Sequence, residues 1–335
     1  MKIYNFKREG GLMSEVLTIG EPLVVFCSTE SDIPLSDVTS FKRVIGGAEL
    51  NVAIGVNRLG HSVEYVSQVG EDPLGEAILD TIYRQGISTK YILKSRDYLT
   101  GHQFKQLVTK GDPDVANYRK NSAASHLSGD LIDSIDLTKI KIAHITGIFP
   151  AISPNAREVT IRLIKRLEKE NIFTVFDTNL RPALWKSKTD MIKTVNLLAK
   201  HASIILPGIN EGKILTGTDN PEQIADYYLH NERTQAVIVK VGPKGAYVKA
   251  KNNINQFVPG FKADHVIDTV GAGDGFALGV ITALLDGGDY ADAAKRGNAI
   301  GALQVQTPGD NDGYPTKEKL DDFLKRGKVN NVKKI

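Results

Sequence analysis

The sequence predicts an α/β fold: a mainly parallel central sheet covered by helices on both faces, with a small second sheet beside it. Three observations predict it. From residue 142 onward, short apolar runs alternate with helical stretches, the pattern of parallel strands buried on both faces. The 335 residues are 41% hydrophobic and 24% charged, enough for one large core with or without a small appendage. Two strand-rich pieces, near 22–45 and 92–119, break the alternation and fit an accessory sheet laid over an edge of the main one. One domain is therefore expected over residues 13–330, with residues 1–12 as an N-terminal extension.

Residues 16–20 read as a buried strand ended by Gly20, and 23–26 continue extended. Residues 41–45 form another extended piece. Gly46-Gly47-Ala48 then opens a helix over 49–59, stopped by Gly60. A strand at 63–66 leads through the turn Gly70-Glu71-Asp72-Pro73 to a helix over 74–85, ending at Gly86. Residues near 92–109 and 115–119 alternate like exposed strands around the turn Lys110-Gly111-Asp112-Pro113. Strands at 142–145, 173–176, 204–206 and 237–240 alternate with helices near 154–170, 187–200 and 221–231. Residues 245–248 and 257–258 read as a hairpin. An apolar helix follows Gly273 and closes at Gly287-Gly288. Two more helices span about 291–305 and 316–325, and the basic tail after Lys325 is expected to fray.

Composition excludes several functions. A net charge of +3, with no basic run interleaved with aromatics, argues against nucleic acid as a partner. No apolar run reaches the length of a membrane span, and the mixed N-terminus has no apolar centre of a secretory signal. The single cysteine, Cys27, rules out an internal disulfide and a cysteine-rich metal site, and points to a reducing, cytoplasmic setting. The seven histidines show no zinc spacing, and His102 and His144 read as structural.

The chemistry concentrates in Asp268-Thr269-Val270-Gly271-Ala272-Gly273-Asp274-Gly275-Phe276. A turn of small residues runs into an apolar helix, whose first N–H groups lack helical partners and sit at the positive end of the dipole. Such a helix start binds anions. An acid there repels a phosphate, yet it suits a site where a hydroxyl loses its proton beside a phosphoryl group. On this stretch alone, Asp274 fits a helix N-cap equally well. Two familiar nucleotide fingerprints fail. His61 stands where the lysine of GxxxxGK[ST] belongs in the run from Gly55 to Ser62, and Phe276 replaces the third glycine of GxGxxG.

Gly46-Gly47-Ala48-Glu49-Leu50-Asn51-Val52-Ala53 and the stretch from Asp268 to Phe276, in this order, resemble the two signatures of the ribokinase-like (PfkB) carbohydrate kinases. The resemblance extends over nearly the whole chain. Within that family it is most similar to the 2-keto-3-deoxygluconate kinases, through Thr146-Gly147-Ile148-Phe149-Pro150-Ala151, the run from Asp177 to Trp185, and Gly309-Asp310-Asn311-Asp312-Gly313. It implies a three-layer α/β/α sandwich with a small β-sheet lid, and ATP-dependent transfer of a phosphoryl group to a sugar hydroxyl. Asp274 would be the base, and the N–H groups of Gly271, Ala272 and Gly273 the anion hole. The lid sheet would close over the sugar, exclude water and often also join two subunits.

On the sugar side the resemblance implies Gly46, Gly47, Asn51, Gln103, Asn117, Arg119, Asn179 and Arg181, with Arg181 holding a sugar carboxylate. Gln103 and Asn117 stand where 2-keto-3-deoxygluconate kinases often carry tyrosines, and Tyr118 could point to the opposite face. Lys240, Gly242 and Gly245 resemble the ATP loop, and Asn298 the position beside adenine. Glu211 would reach Mg²⁺ through water, and Asp268 would help hold a monovalent cation such as K⁺, as in some relatives. The implied function is phosphorylation of a small sugar acid, most simply 2-keto-3-deoxygluconate, to its 6-phosphate. A fructokinase, another sugar or nucleoside kinase of the family, and a non-catalytic sugar sensor are the alternatives.

Overall fold

A computed structural model describes residues 14–111 and 113–330. The expected extension at 1–12, Asp112 of the Lys110–Pro113 turn and the last five residues of the basic tail lie outside the described residues. Strands β1 (Val16–Ile19), β2 (Leu23–Ser31), β3 (Phe41–Gly46), β4 (Val63–Gly70), β5 (Ile92–Ser95), β6 (His102–Leu107), β7 (Val115–Tyr118), β8 (Ile142–Thr146), β9 (Phe173–Asp177), β10 (Ile204–Leu206), β11 (Ala236–Lys240), β12 (Gly245–Ala250) and β13 (Asn255–Pro259) form two sheets. The large one has nine strands in the order β13-β12-β11-β10-β9-β8-β1-β4-β5. Strands β11 through β5 run parallel, and β12 and β13 add an antiparallel hairpin at one edge.

Apolar side chains alternate between the sheet's two faces, as a strand's period of two requires. Val16, Val175, Ile204 and Ile238 face one core, while Leu17, Phe176, Ile205 and Val237 face the other. Helices α1 (Ala48–Arg58) and α2 (Pro73–Arg84) cover the first face. Helices α3 (Gly129–Ser134), α4 (Phe149–Ile152), α5 (Pro154–Lys169), α6 (Lys188–Ala199), α7 (Ile209–Thr216) and α8 (Pro221–Leu229) cover the second. Helices α9 (Ala272–Leu285), α10 (Tyr290–Gln304) and α11 (Lys317–Arg326) return to the first. The result is the expected three-layer sandwich. Strand β1 lies between β4 and β8, so the chain leaves the middle of the sheet in both directions. Ligands bind such sheets outside the carboxyl ends of strands near that reversal.

The lid is a four-stranded sheet in the order β3-β2-β6-β7. Its strands come from 23–46 and 102–118, narrower than the expected 92–119. Residues 92–95 instead pair in parallel with β4, Ser67 opposite Ile92, because Ile92 is apolar enough to close the edge of the large core. The short helices α3, α4 and α7 carry too few turns to show a helical period and were absent from the expected elements. Helix α9 starts at Ala272 rather than after Gly273. Gly271, at φ +76°, is the cap, and any side chain on it would strike the Asp310 backbone.

Candidate active site

The first turn of α9 meets α1 and the loop after β9 through side-chain hydrogen bonds, and the loop before it meets the lid strand β6 through Lys105 and Asp268. Asp274 is therefore the third residue of the helix, not its cap, and its side chain is 9% exposed. The α1 residue Asn51 donates Nδ2 to Asp274 Oδ2 at 2.9 Å. Asn179, just past β9, donates Nδ2 to Oδ1 at 3.3 Å. Asn311 donates in turn to Asn51 Oδ1 at 2.9 Å. Burial pushes the Asp274 carboxyl up to about 6. The Asn51 hydrogen bond opposes this rise, the nearby Asp177 adds to it, and the Arg181 guanidinium draws it down. A carboxyl poised there is ionised at neutral pH yet basic enough to take a proton. Activity should follow: kcat/KM is expected to fall about tenfold per pH unit below about pH 6, and to level off above it. A profile that stays flat down to pH 5 would remove Asp274 as the base.

Beside this acid, Gly273 faces open space, with no heavy atom near the position a Cβ would take. That leaves room for a ligand against the helix start. Of the three glycine-turn residues, Ala272 already donates its N–H to Thr269 O at 3.3 Å, a long bond that a stronger acceptor could replace.

Several of the expected ligand residues are bonded within the chain itself. Asn51 is 2% exposed, so its amide orients Asp274 and is not presented to a sugar. Arg119 donates Nε to Glu21 Oε2 at 2.7 Å and lies 2.5 Å from it through a second nitrogen. It leaves the sheet edge already neutralised. Lys240 pairs with Asp177 Oδ1 at 2.7 Å instead of reaching for a nucleotide. Burial works against its charge, but the Asp177 and Glu211 carboxylates outweigh it and hold its pKa above lysine's ordinary value. Asn298 spends its Nδ2 on the carbonyls of Val258 and Pro259, which tethers α10 to β13 and leaves only Oδ1 for a ligand. Gly245, at φ +127°, packs against the backbone of 258–260, so its missing side chain serves chain packing; Gly242 faces open space. Glu211 accepts from Gly208 N at 2.7 Å, Leu180 N at 2.6 Å and Thr178 Oγ1 at 2.7 Å. It thereby locks the 177–181 loop onto α7. Its carboxylate is largely spoken for, which fits contact with a metal through water and not direct ligation. Among the described residues no group of three His, Cys, Asp or Glu side chains could hold a metal ion.

Arg181 is exposed, meets the Leu180 carbonyl at 2.9 Å and lies close enough to lower the Asp274 pKa. Gln103 and Asn117 sit directly opposite each other on β6 and β7, and Tyr118 lies on the other lid face, stacked on His102 with ring centroids 5.2 Å apart. His144 bonds Thr18 Oγ1 at 3.0 Å and burial lowers its pKa to about 3, a structural histidine as expected. Gly46 and Gly47 are both tight. A Cβ on Gly46 would lie 2.5 Å from Asp310 Oδ2, and one on Gly47, at φ +125°, 2.6 Å from the Glu21 carbonyl.

Four residues not singled out earlier prove central. Glu21, just beyond β1, is 2% exposed and holds Arg119 and Ser122; its carboxylate also abuts Gly101, where a Cβ would lie 2.5 Å away. Asp310 and Asn311 come from the loop after α10, Asp310 against Gly46 and Asn311 onto Asn51. Lys105, on β6, lies 3.4 Å from Asp268. The position of Glu21 at the end of a buried strand, and the Gly309–Gly313 run, were signals that could have found three of them.

The chain matches the family described as pfkB family carbohydrate kinase over residues 13–317. It is 43% identical to 2-dehydro-3-deoxygluconokinase of Bacillus subtilis (strain 168), over 96% of this chain and 98% of that protein. Two solved structures share the fold. A ribokinase II assignment from E. coli, determined with ATP and Mg²⁺, has a TM-score of 0.83 at 25% identity, covering 94% of this chain and all of that one. A fructokinase double mutant of Vibrio cholerae, bound to fructose, ADP and potassium ion, has a TM-score of 0.80 at 26% identity, covering 93% and 98%.

Proposed function

The chain belongs to the pfkB family of carbohydrate kinases, and from that membership we propose that it transfers the terminal phosphoryl group of ATP to a hydroxyl of a small sugar acid, 2-keto-3-deoxygluconate (2-dehydro-3-deoxygluconate), giving the 6-phosphate. The observation that carries the proposal is Asp274: a buried carboxyl raised to about 6, one residue from a glycine that faces open space at a helix start. The sugar hydroxyl gives its proton to the Asp274 carboxylate as its oxygen bonds to phosphorus. The bond from phosphorus to the bridging oxygen breaks, and ADP leaves. Asn51 and Asn179 aim the two carboxylate oxygens. N–H groups at the start of α9, among Gly271, Ala272 and Gly273, face the negative charge that develops on the phosphoryl oxygens. Glu211, whose carboxylate holds the 177–181 loop, would meet a nucleotide-bound Mg²⁺ through water, and such an ion would supply neutralisation of phosphate charge. Gly242 lines the nucleotide side.

Arg181, an exposed cation near the base, takes the substrate carboxylate. Arg181→Ala is expected to raise KM for the sugar acid about 10- to 100-fold, the scale of one lost charge-assisted pair of about 1.5–3 kcal/mol, with kcat much less affected. Coupled ADP release across 2-keto-3-deoxygluconate, fructose, ribose and adenosine tests the assignment. Turnover highest with the keto acid supports it, and turnover highest with fructose replaces it. Binding without turnover on any sugar would mean a sensor. One observation favours a neutral hexose: Arg119, one of the two arginines expected to favour an anionic sugar, is already paired with Glu21.

The outer face of the lid carries Phe26, Phe41 and Tyr118, each in ring contact with Phe104, and Tyr118 is 58% exposed. This surface joins two copies of the chain in the proposed assembly. No described helix is long and apolar enough to cross a membrane, and the proposed setting is the cytoplasm.

A further inference from the structure

We infer that the ammonium of Lys105 does for Asp268 what a bound monovalent cation was expected to do, so that turnover needs no added potassium and the lid itself brings the charge that neutralises the glycine turn. Lys105 lies on β6, in register with Cys27 of β2 and Val115 of β7, on the lid face that also carries Gln103. Its Nζ is 3.4 Å from Asp268 Oδ2, with the two side chains 21% and 28% exposed. The other Asp268 oxygen accepts the Val270 N–H at 3.0 Å, one residue before the Gly271 cap. The pair therefore bears on the backbone that forms the anion hole.

Acidic groups crowd this point. Burial raises the Asp310 carboxyl, Lys105 is the cation that opposes the rise, and Asp268 and Asp312 add to it. The Asp310 backbone is packed against Gly271 from the other side. Two part-buried carboxylates, Asp268 and Asp310, crowd one turn, with the exposed Asp312 beyond them, and Lys105 supplies a cation from within the chain. A potassium ion would have to share or displace that ammonium. Lys105 also belongs to the lid and Asp268 to the body, so the charge is balanced only when the lid is down. Lys105 is thus a positioning residue: it acts on the phosphoryl site through Asp268.

The inference rests on the kinase reading for its kinetic readout and on melting for a second readout that needs no turnover. ADP release by the full chain is measured in KCl, NaCl and choline chloride at equal ionic strength. Wild type is expected to run equally in all three. Lys105→Met is expected to lose about tenfold in kcat in choline chloride and to recover most of it in KCl. Lys105→Arg, which keeps the charge, should retain activity in choline. Melting temperature should rise in KCl relative to choline for Lys105→Met and not for wild type. Activation of wild type by KCl overturns the inference, as does a Lys105→Met variant no more responsive to potassium than wild type. If no sugar is turned over, the kinase reading fails and the melting comparison alone decides.

Discussion

Asp274→Asn is expected to lower kcat by about 100- to 10,000-fold, the usual range for a general base, while raising the melting temperature. The loss follows from geometry. Both carboxylate oxygens accept from amides, at 2.9 and 3.3 Å, so the asparagine fits the same place once the Asn179 amide turns over to accept from its new NH2, and it cannot take a proton. The gain in stability follows from burial. The carboxyl titrates near 6 in the folded chain against 3.8 for an ordinary aspartate. Between those values the folded state holds the proton more tightly than the unfolded state does. Stability therefore declines as pH rises through that window, and the full penalty, roughly 2–3 kcal/mol, is present at neutral pH. An amide carries no such penalty. Thermal denaturation and ADP release on one preparation check both halves. A variant that turns over at the wild-type rate would end the assignment of Asp274.

Lys240→Met is expected to destabilise the fold by about 3–5 kcal/mol, the effect of removing one partner of a buried ion pair. Asp177 is 1% exposed at the end of β9, and the Glu211 carboxylate is near enough to share the lysine's field. Without the ammonium, two carboxylates are left against one another under the site. The double variant Lys240→Met with Asp177→Asn should recover much of the loss, since the uncompensated charge is gone. Urea denaturation of the two single variants and the double measures the coupling. A single variant as stable as wild type would show that Asp177 is neutral in the native state.

The layers of the fold were legible because each rests on a local pattern. Apolar runs such as Val237 to Val239 mark buried strands, and Gly271 marks a turn that requires a positive φ. Asp274 was legible for the same reason: a carboxylate beside small residues at a helix start is odd unless it has work to do. Partnerships were not. Asn51 and Asp274 are 223 residues apart, and Glu21 and Arg119 are 98 apart. A residue type at one position does not reveal which distant group will neutralise it. That is why Arg119, Lys240 and Asn51 looked free for ligands and are instead committed to the chain itself. Residues 92–95 went to the wrong sheet for a related reason. A strand of four carries little sign of which edge it will join, and the apolar Ile92 decided the matter by burying at the large core.

Glu21 gathers the places where chain passes between lid and body. Its backbone is one such crossing; Gly47 and Gly101 press against it from two others, and Arg119 and Ser122 grip it at the fourth. Four strands pinned at one buried residue, three through its carboxylate or chain and one through its carbonyl, cannot swing separately. The lid should tilt as one stiff plate about a pivot at Glu21, and amide hydrogens across β2, β3, β6 and β7 should exchange in concert in the wild-type chain and lose that concert when the pivot is cut by Glu21→Gln.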